Sequence, residues 1–421
     1  MHPASPGENT LPQEGADRTE RTYRLELKRA LTNGVLESAG STFLLLIALS
    51  WFHAGSTAKA LVAAGGSVGL MCSPLVVFLV AKLRWPAALG AARLAAVGAV
   101  SFLVMFALPV LWVFVAGSIV AMASASAAIP LMTQVYQENY PEDKRGKLFS
   151  RTVMVRIATA AAFSHFAGRL LNANLGYSRV LLLAFACAFA VAWRLLRAYP
   201  SQPLAMEAGM SPFRGLRFVK EDRLFRLTLI CWMLMGFANL MMLPLRIEYL
   251  GNKRYGLALQ PAEIAFLTSV VPNMARLAMS QVWGWLFDRT NFFILRVTLN
   301  AGFALSILTF FLSDSITGLV AGAIIYGVSN SGGDVAWGLW VTKFSPPDRV
   351  ADYMSVHTFF TGVRGVIAPV VAFHLIERFA MGTLGWMCAG LIVAASLLMI
   401  PEIHTGANVR KSSALSEEVS E

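Results

Sequence analysis

Glu37, Arg156, Arg276, Asp334 and Arg364 stand inside stretches built almost wholly of apolar side chains, with His165, His357 and His374 as weaker members of the same set. An ionisable group in such surroundings is costly unless it pairs, hydrogen-bonds or faces a water-filled space. A carboxyl held away from water takes up a proton more readily than one in solution. Glu37 is therefore a candidate proton carrier, with permanent pairing to an arginine as its other reading. Arg276 and Arg364 lie deepest, and the planar fork of arginine suits carboxylate or phosphate oxygens. Three arginines against two acids leave room for an anionic solute; a neutral polar one such as a sugar, or a lipophilic or peptide-like one, stays open. Arg156 and Asp334 fall at similar depth from their own segment ends. Together with Glu37 they form one layer of opposite charges, which suggests an ion pair of Arg156 with Asp334, as a brace within the fold or as a substrate contact.

The elements that must position these residues are read from composition. Of 421 residues, 56% are hydrophobic and only 14% charged, against roughly 25% charged in a soluble chain. Most of the surface cannot face water, and the apolar runs have the length of a bilayer crossing. Twelve spans are expected, at roughly 30–52, 57–80, 88–107, 110–134, 149–171, 178–198, 225–247, 262–286, 292–312, 317–341, 352–375 and 380–400. The fold class that follows is all-α integral membrane. The polar start, residues 1–24, shows no apolar core of a secretory leader and reads as an unstructured tail, as does 403–421. A polar loop at 199–223 divides two six-helix bundles, 25–198 and 224–402.

An echo supports that division. "NYPEDKRGKLFS" (Asn139–Ser150) returns as "KFSPPDRVADYMS" (Lys343–Ser355), with Pro141 matching Pro346, Asp143 matching Asp348 and Ser150 matching Ser355. "GVLE" (Gly34–Glu37) matches "GFAN" (Gly236–Asn239), and "LMCSPLVVFLVAK" matches "LAMSQVWGWLFDR", all at offsets of 202 to 207 residues. Parallel six-helix repeats are a transporter plan with the solute site between the halves. Glu37 thus has Asn239, which cannot carry a proton, as its repeat partner. Lys and Arg gather on the loops that share a side with both termini, placing both termini in the cytoplasm. Seven basic residues, Lys59 and Arg246 among them, fall to the opposite face. Topology therefore accounts for the net charge of +11 without a nucleic-acid partner.

"GWLFDRT" (Gly284–Thr290) resembles the loop signature of the major facilitator superfamily, which begins G-x-x-x-D-R; Gly284, Asp288 and Arg289 match. The later glycine and basic residue are replaced by Asn291, Phe292 and Phe293, and the first-half copy at Val77, Ala81 and Lys82 has lost its glycine and acid. The matching glycine is expected to permit close helix approach. The resemblance implies two bundles rocking about a central site, driven by a proton or solute gradient, with segments 4, 5, 10 and 11 closing the cytoplasmic side, which would make an Arg156–Asp334 pair a gate.

"YGVSNSGGDVAWGLW" (Tyr326–Trp340) places Asn330 and a Gly332-Gly333 pair just before Asp334. This stretch reads either as a loosened segment offering backbone to cargo or as tight packing through small residues. Trp232, Trp337 and Trp340 suit a sugar ring, though core positions are the commoner use of tryptophan. Four cysteines sit within apolar runs at no metal-like spacing, and no phosphate-cradling loop or nucleophile elbow occurs, so no cofactor, metal or ATP is expected. The reading is a monomeric secondary transporter of a bacterial inner membrane, moving a small polar solute with protons and not an enzyme. Its rivals are a membrane-embedded lipid-modifying enzyme and a transporter-like sensor that moves nothing.

Overall fold

The computed structural model describes residues 10–204, 211–340 and 350–418. It is all-helical, with no strand among these residues. Twelve rods follow in order: α1 (10–50), α2 (Ser56–Lys82), α3 (Ala87–Ala107), α4 (Leu111–Asn139), α5 (Glu142–Ala173) and α6 (Ser178–Leu196); then α7 (Arg223–Gly251), α8 (261–289), α9 (Phe292–Phe311), α10 (Ile316–Leu339), α11 (Val350–Leu375) and α12 (Met381–Glu418). Starts are set by local caps. Asp222 accepts from the Phe225 amide at 2.9 Å, Asn291 from Phe293 at 2.8 Å, and Ser315 from Gly318 at 3.2 Å. Gln260 and Glu263 form a capping box at the head of α8, holding amides that would otherwise lack partners.

Among the described residues, nine rods are long and apolar enough to cross a membrane. The other three are α5, α8 and α10, the rods that carry Arg156, Arg276 and Asp334. Charged and polar residues of this kind lower the apolarity of these three rods. Large apolar side chains such as Phe166, Leu305, Trp386 and Leu397 are exposed around the outside, the arrangement a lipid surround requires.

Within the first half α1 packs on α5 and α6, α2 on α4, and α3 on α4 and α6; the second half repeats each pairing six rods on. Across the halves α2 meets α11 and α5 meets α8. Two rods are interrupted in the same manner. A π turn at Ala39–Phe43 breaks α1 and another at Phe266–Val270 breaks α8, and the two touch.

Both tails depart from expectation. The first helix begins at Thr10 instead of near residue 25. Its leading turns are held by a Glu20–Arg24 pair and by Arg18, Thr19 and Arg21 bonding to Asn139 and Ala198. The last helix runs through Met381–Glu418, taking in most of the tail expected to be unstructured; extending a formed helix costs little per residue. The second elbow, 343–349, lies outside the described residues, so its echo of the first cannot be compared in structure.

Candidate functional site

Arg276, on α8, joins the two halves. Its Nη1 donates to Glu37 Oε1 on α1 at 2.6 Å and its Nε to Asp334 Oδ2 on α10 at 2.6 Å. Asn273, one turn earlier, offers Oδ1 at 3.4 Å. Arg156, on α5, brings Nε to 3.0 Å from Glu37 Oε2, close enough for attraction but off hydrogen-bonding line. The order is Arg156, Glu37, Arg276, Asp334: cation, anion, cation, anion. The predicted Arg156–Asp334 pair is not what forms. Each residue takes a different partner, because Arg276 projects between the two acids and satisfies both.

Burial is graded along this row. The Arg276 side chain is 7% exposed, Glu37 26%, Arg156 33% and Asp334 42%. Arg276 is thus the shielded member of the row, while Arg156 and Asp334 at its two ends are partly exposed. A hydroxyl seam continues from it. Thr42 and Thr268, one in each π turn, lie 3.2 Å apart, Ser164 and Ser269 lie 2.8 Å apart, and Asn273 donates to Ser269 at 3.3 Å. Beyond that, on the face opposite the termini, Lys59 of α2 donates to Glu248 of α7 at 2.6 Å, both buried, and Asn252 donates to the second Glu248 oxygen at 2.6 Å. These contacts tie the halves together on that face.

The Lys59–Glu248 pair was missed in the sequence because each residue lies near a segment end, where a charge reads as a loop group. Lys59 and Arg246, assigned to the far surface, are in fact buried at 5% and 2% exposure. An acid and a base on segment ends of opposite halves are the signal that could have paired Lys59 with Glu248. Also missed was a buried polar knot on the termini side. Glu26 accepts from Arg29, Tyr136 and Tyr199 and ties α1 to α4 and to the chain after α6.

Other predicted residues separate from the row. Arg364 turns toward α7 and donates to the Trp232 carbonyl; it does not join Arg276. Asn239 and Asn330 are half-buried and lack side-chain hydrogen bonds among the described residues. The glycine-rich stretch stays helical throughout. A Cβ on Gly332 would stand 2.7 Å from the Trp283 ring, whose Nε1 donates to the Val328 carbonyl at 2.8 Å. Tight packing is thus the reading that fits. Gly284 corrects the expectation of close approach: a Cβ there would meet open space. Arg289 lies over Trp285 at 4.6 Å, and the Asp288 side chain lies outside the described residues. His165 lines a cavity of about 340 Å³ with Arg169 and Glu263 at the outer ends of α5 and α8. His374 contacts the Val370 carbonyl of its own helix at 2.7 Å.

The family model of the Major Facilitator Superfamily matches residues 31–369. The chain belongs to the major facilitator superfamily. Solved structures agree on the fold. The nucleoside transporter NupG superposes with a TM-score of 0.70 at 14% identity, covering 90% of this chain and 98% of that one. A POT family transporter bound to a thioalcohol-conjugated peptide gives 0.72 at 11% identity over 92% and 96%. The inward-open xylose transporter XylE from E. coli gives 0.61 at 14% identity over 92% and 95%. No curated protein matches the sequence. This superfamily member is a multi-pass membrane protein whose fold is similar to that of those solved transporters.

Proposed function

We propose that this chain carries a small polar solute across the membrane by alternating access, coupled to protons through Glu37. The observation that supports the reading most is the row Arg156, Glu37, Arg276, Asp334, half shielded and spanning both halves. Rocking of two bundles must break some tie between them, and the Glu37–Arg276 bond is such a tie. Protonating Glu37 removes its charge and frees Arg276, which can then favour Asp334 or an anionic group on the solute. Two acids balance two bases in the row, so an incoming anion must displace an acid or arrive with a proton. That requirement is what links solute to proton. Sealing on the face opposite the termini, with both termini cytoplasmic as the basic loops predict, makes the present conformation inward-facing.

Cargo is proposed only as polar. The structural neighbours are a nucleoside transporter, a xylose transporter and a POT family transporter in complex with a peptide, so fold alone does not choose, and the arginines favour a solute with an acidic or hydrogen-bonding group. A bacterial inner membrane and a monomer complete the proposal.

The test is transport in proteoliposomes with a panel of labelled nucleosides, pentoses, dipeptides and carboxylates, under an imposed pH gradient. Solute-dependent proton flux is expected for at least one class. Glu37→Gln should abolish accumulation against a gradient while sparing counterflow. Undiminished accumulation by that variant would exclude Glu37 as the coupling group.

A further inference from the structure

A second cationic cluster lies within the second half, away from the interbundle row. Arg296 is 1% exposed and His357 0% exposed; Arg364 stands beside them, half-buried. Arg296 and Arg364 are within electrostatic reach of each other and of His357. Trp232, Trp337 and Trp340 enclose the His357 ring at centroid distances of 5.2, 5.7 and 5.0 Å. Arg296 stacks its guanidinium 3.6 Å over Trp232 and places Nη2 3.4 Å from the Met235 sulfur. Arg364 packs on Gly236, where a side chain would collide with it.

Donors here lack acceptors. Arg296 Nη1, Arg364 Nε, Trp232 Nε1 and both nitrogens of His357 are buried without a hydrogen-bond partner. An aromatic face takes up part of a cation's charge but fills none of these N–H groups. Buried arginine cannot shed its proton, and uncompensated buried charge is strongly unfavourable. The first half shows how the same layer is completed. There Arg29 has Glu26 as its acid. The register that matches Gly34 with Gly236 puts Thr228 where Glu26 stands, and Cys231 where Arg29 stands. At that register α7 carries no acid, while the second half holds two arginines and a histidine there; Glu402 of α12 lies within electrostatic reach of Cys231.

We infer that the space between Arg296, Arg364, His357 and Trp232 binds a small inorganic anion of chloride size. The rings contact one another closely, which excludes a cargo-sized molecule. Arg296 Nη1, Arg364 Nε and Trp232 Nε1 offer only N–H, and His357 adds an N–H from one of its ring nitrogens, as a monatomic acceptor needs. The site sits on α7, α9 and α11 of one bundle, so it serves as a fixed counter-ion there and its test does not depend on transport.

The experiment is thermal unfolding of the full chain in detergent, in sodium chloride, bromide or gluconate at equal ionic strength. Chloride and bromide should raise Tm saturably over gluconate by roughly 2 °C or more, as ligand linkage requires. Arg296→Gln should abolish that difference, whereas Arg246→Gln, another buried arginine outside the cluster, should keep it. Equal Tm values in all three salts, or an undiminished chloride effect in Arg296→Gln, would overturn the site. Should the variant fail to fold, crystals of the unsubstituted protein in bromide decide: an anomalous peak between Arg296 and His357 supports the site, and its absence rejects it.

Discussion

Arg276 has two acids to satisfy, and that makes it the residue whose loss is felt most. Removing one member of a buried pair costs about 3–5 kcal/mol because the other charge is stranded. Asp334 is 42% exposed, so water relieves part of this and roughly 2 kcal/mol is expected for Arg276→Gln. Arg156 is a third exposed and off hydrogen-bonding line with Glu37, so Arg156→Gln should cost under about 1 kcal/mol. Thermal unfolding of the two variants checks the order. Adding Glu37→Gln and Asp334→Asn to Arg276→Gln should recover most of the lost stability, since the one charge then left without a counter-charge is Arg156, which is a third exposed and solvated by water. Transport should stay absent. If stability does not return, Arg276 supports the fold through its packing and not through its charge.

At the scale of elements, what positions the row is how closely α1 and α5 approach. A Cβ on Gly34 would stand 2.5 Å from the Arg156 carbonyl oxygen and 2.7 Å from Thr159 Cβ. Gly34→Val must therefore push the rods apart one turn from Glu37, lowering both Tm and uptake without altering any charge. Gly284→Ala, where a Cβ meets open space, should leave both within about 0.5 kcal/mol of the parent; uptake assays and melts of the pair test the contrast. The contrast also shows what could be read beforehand. Nine rods were legible because each spans a bilayer's length in apolar residues, and Glu37, Arg276 and Asp334 because charge in a largely apolar rod is costly. Their partners were not, because bonds spanning 58 and 239 residues depend on the rotation of one rod against another. A π turn adds about one residue to a helical turn, rotating everything beyond it. Nothing in "AGSTF" or "FLTSV" marks that extra residue. Depth counting set Arg156 beside Asp334 and Arg276 deeper, and so missed that Arg276 bonds both Glu37 and Asp334.

For the whole molecule, the proposed alternating access requires that the contacts on one face compete with those on the other. Lys59–Glu248 is the charged tie on the face away from the termini, and its side chains are only 7% and 3% exposed. Thr42 and Thr268 meet between this tie and the central row. Glu248→Gln leaves the Lys59 ammonium in the closed interface without its counter-charge, whereas opening that face lets water reach it. A coupling of about 1–3 kcal/mol moves a two-state equilibrium 5- to 150-fold. Thr42 is fully buried in the closed form, so Thr42→Cys reports on the opening through its rate of reaction with a hydrophilic maleimide. That rate, corrected for the native cysteines, should rise at least about fivefold when Glu248→Gln is added. Glu263→Gln, a capping residue on the same face, should leave it unchanged. Exchanging the charges, with Lys59→Glu and Glu248→Lys together, should bring the slow rate back. An unchanged rate in Glu248→Gln would mean that hydroxyl contacts and apolar packing hold that face shut without the ion pair.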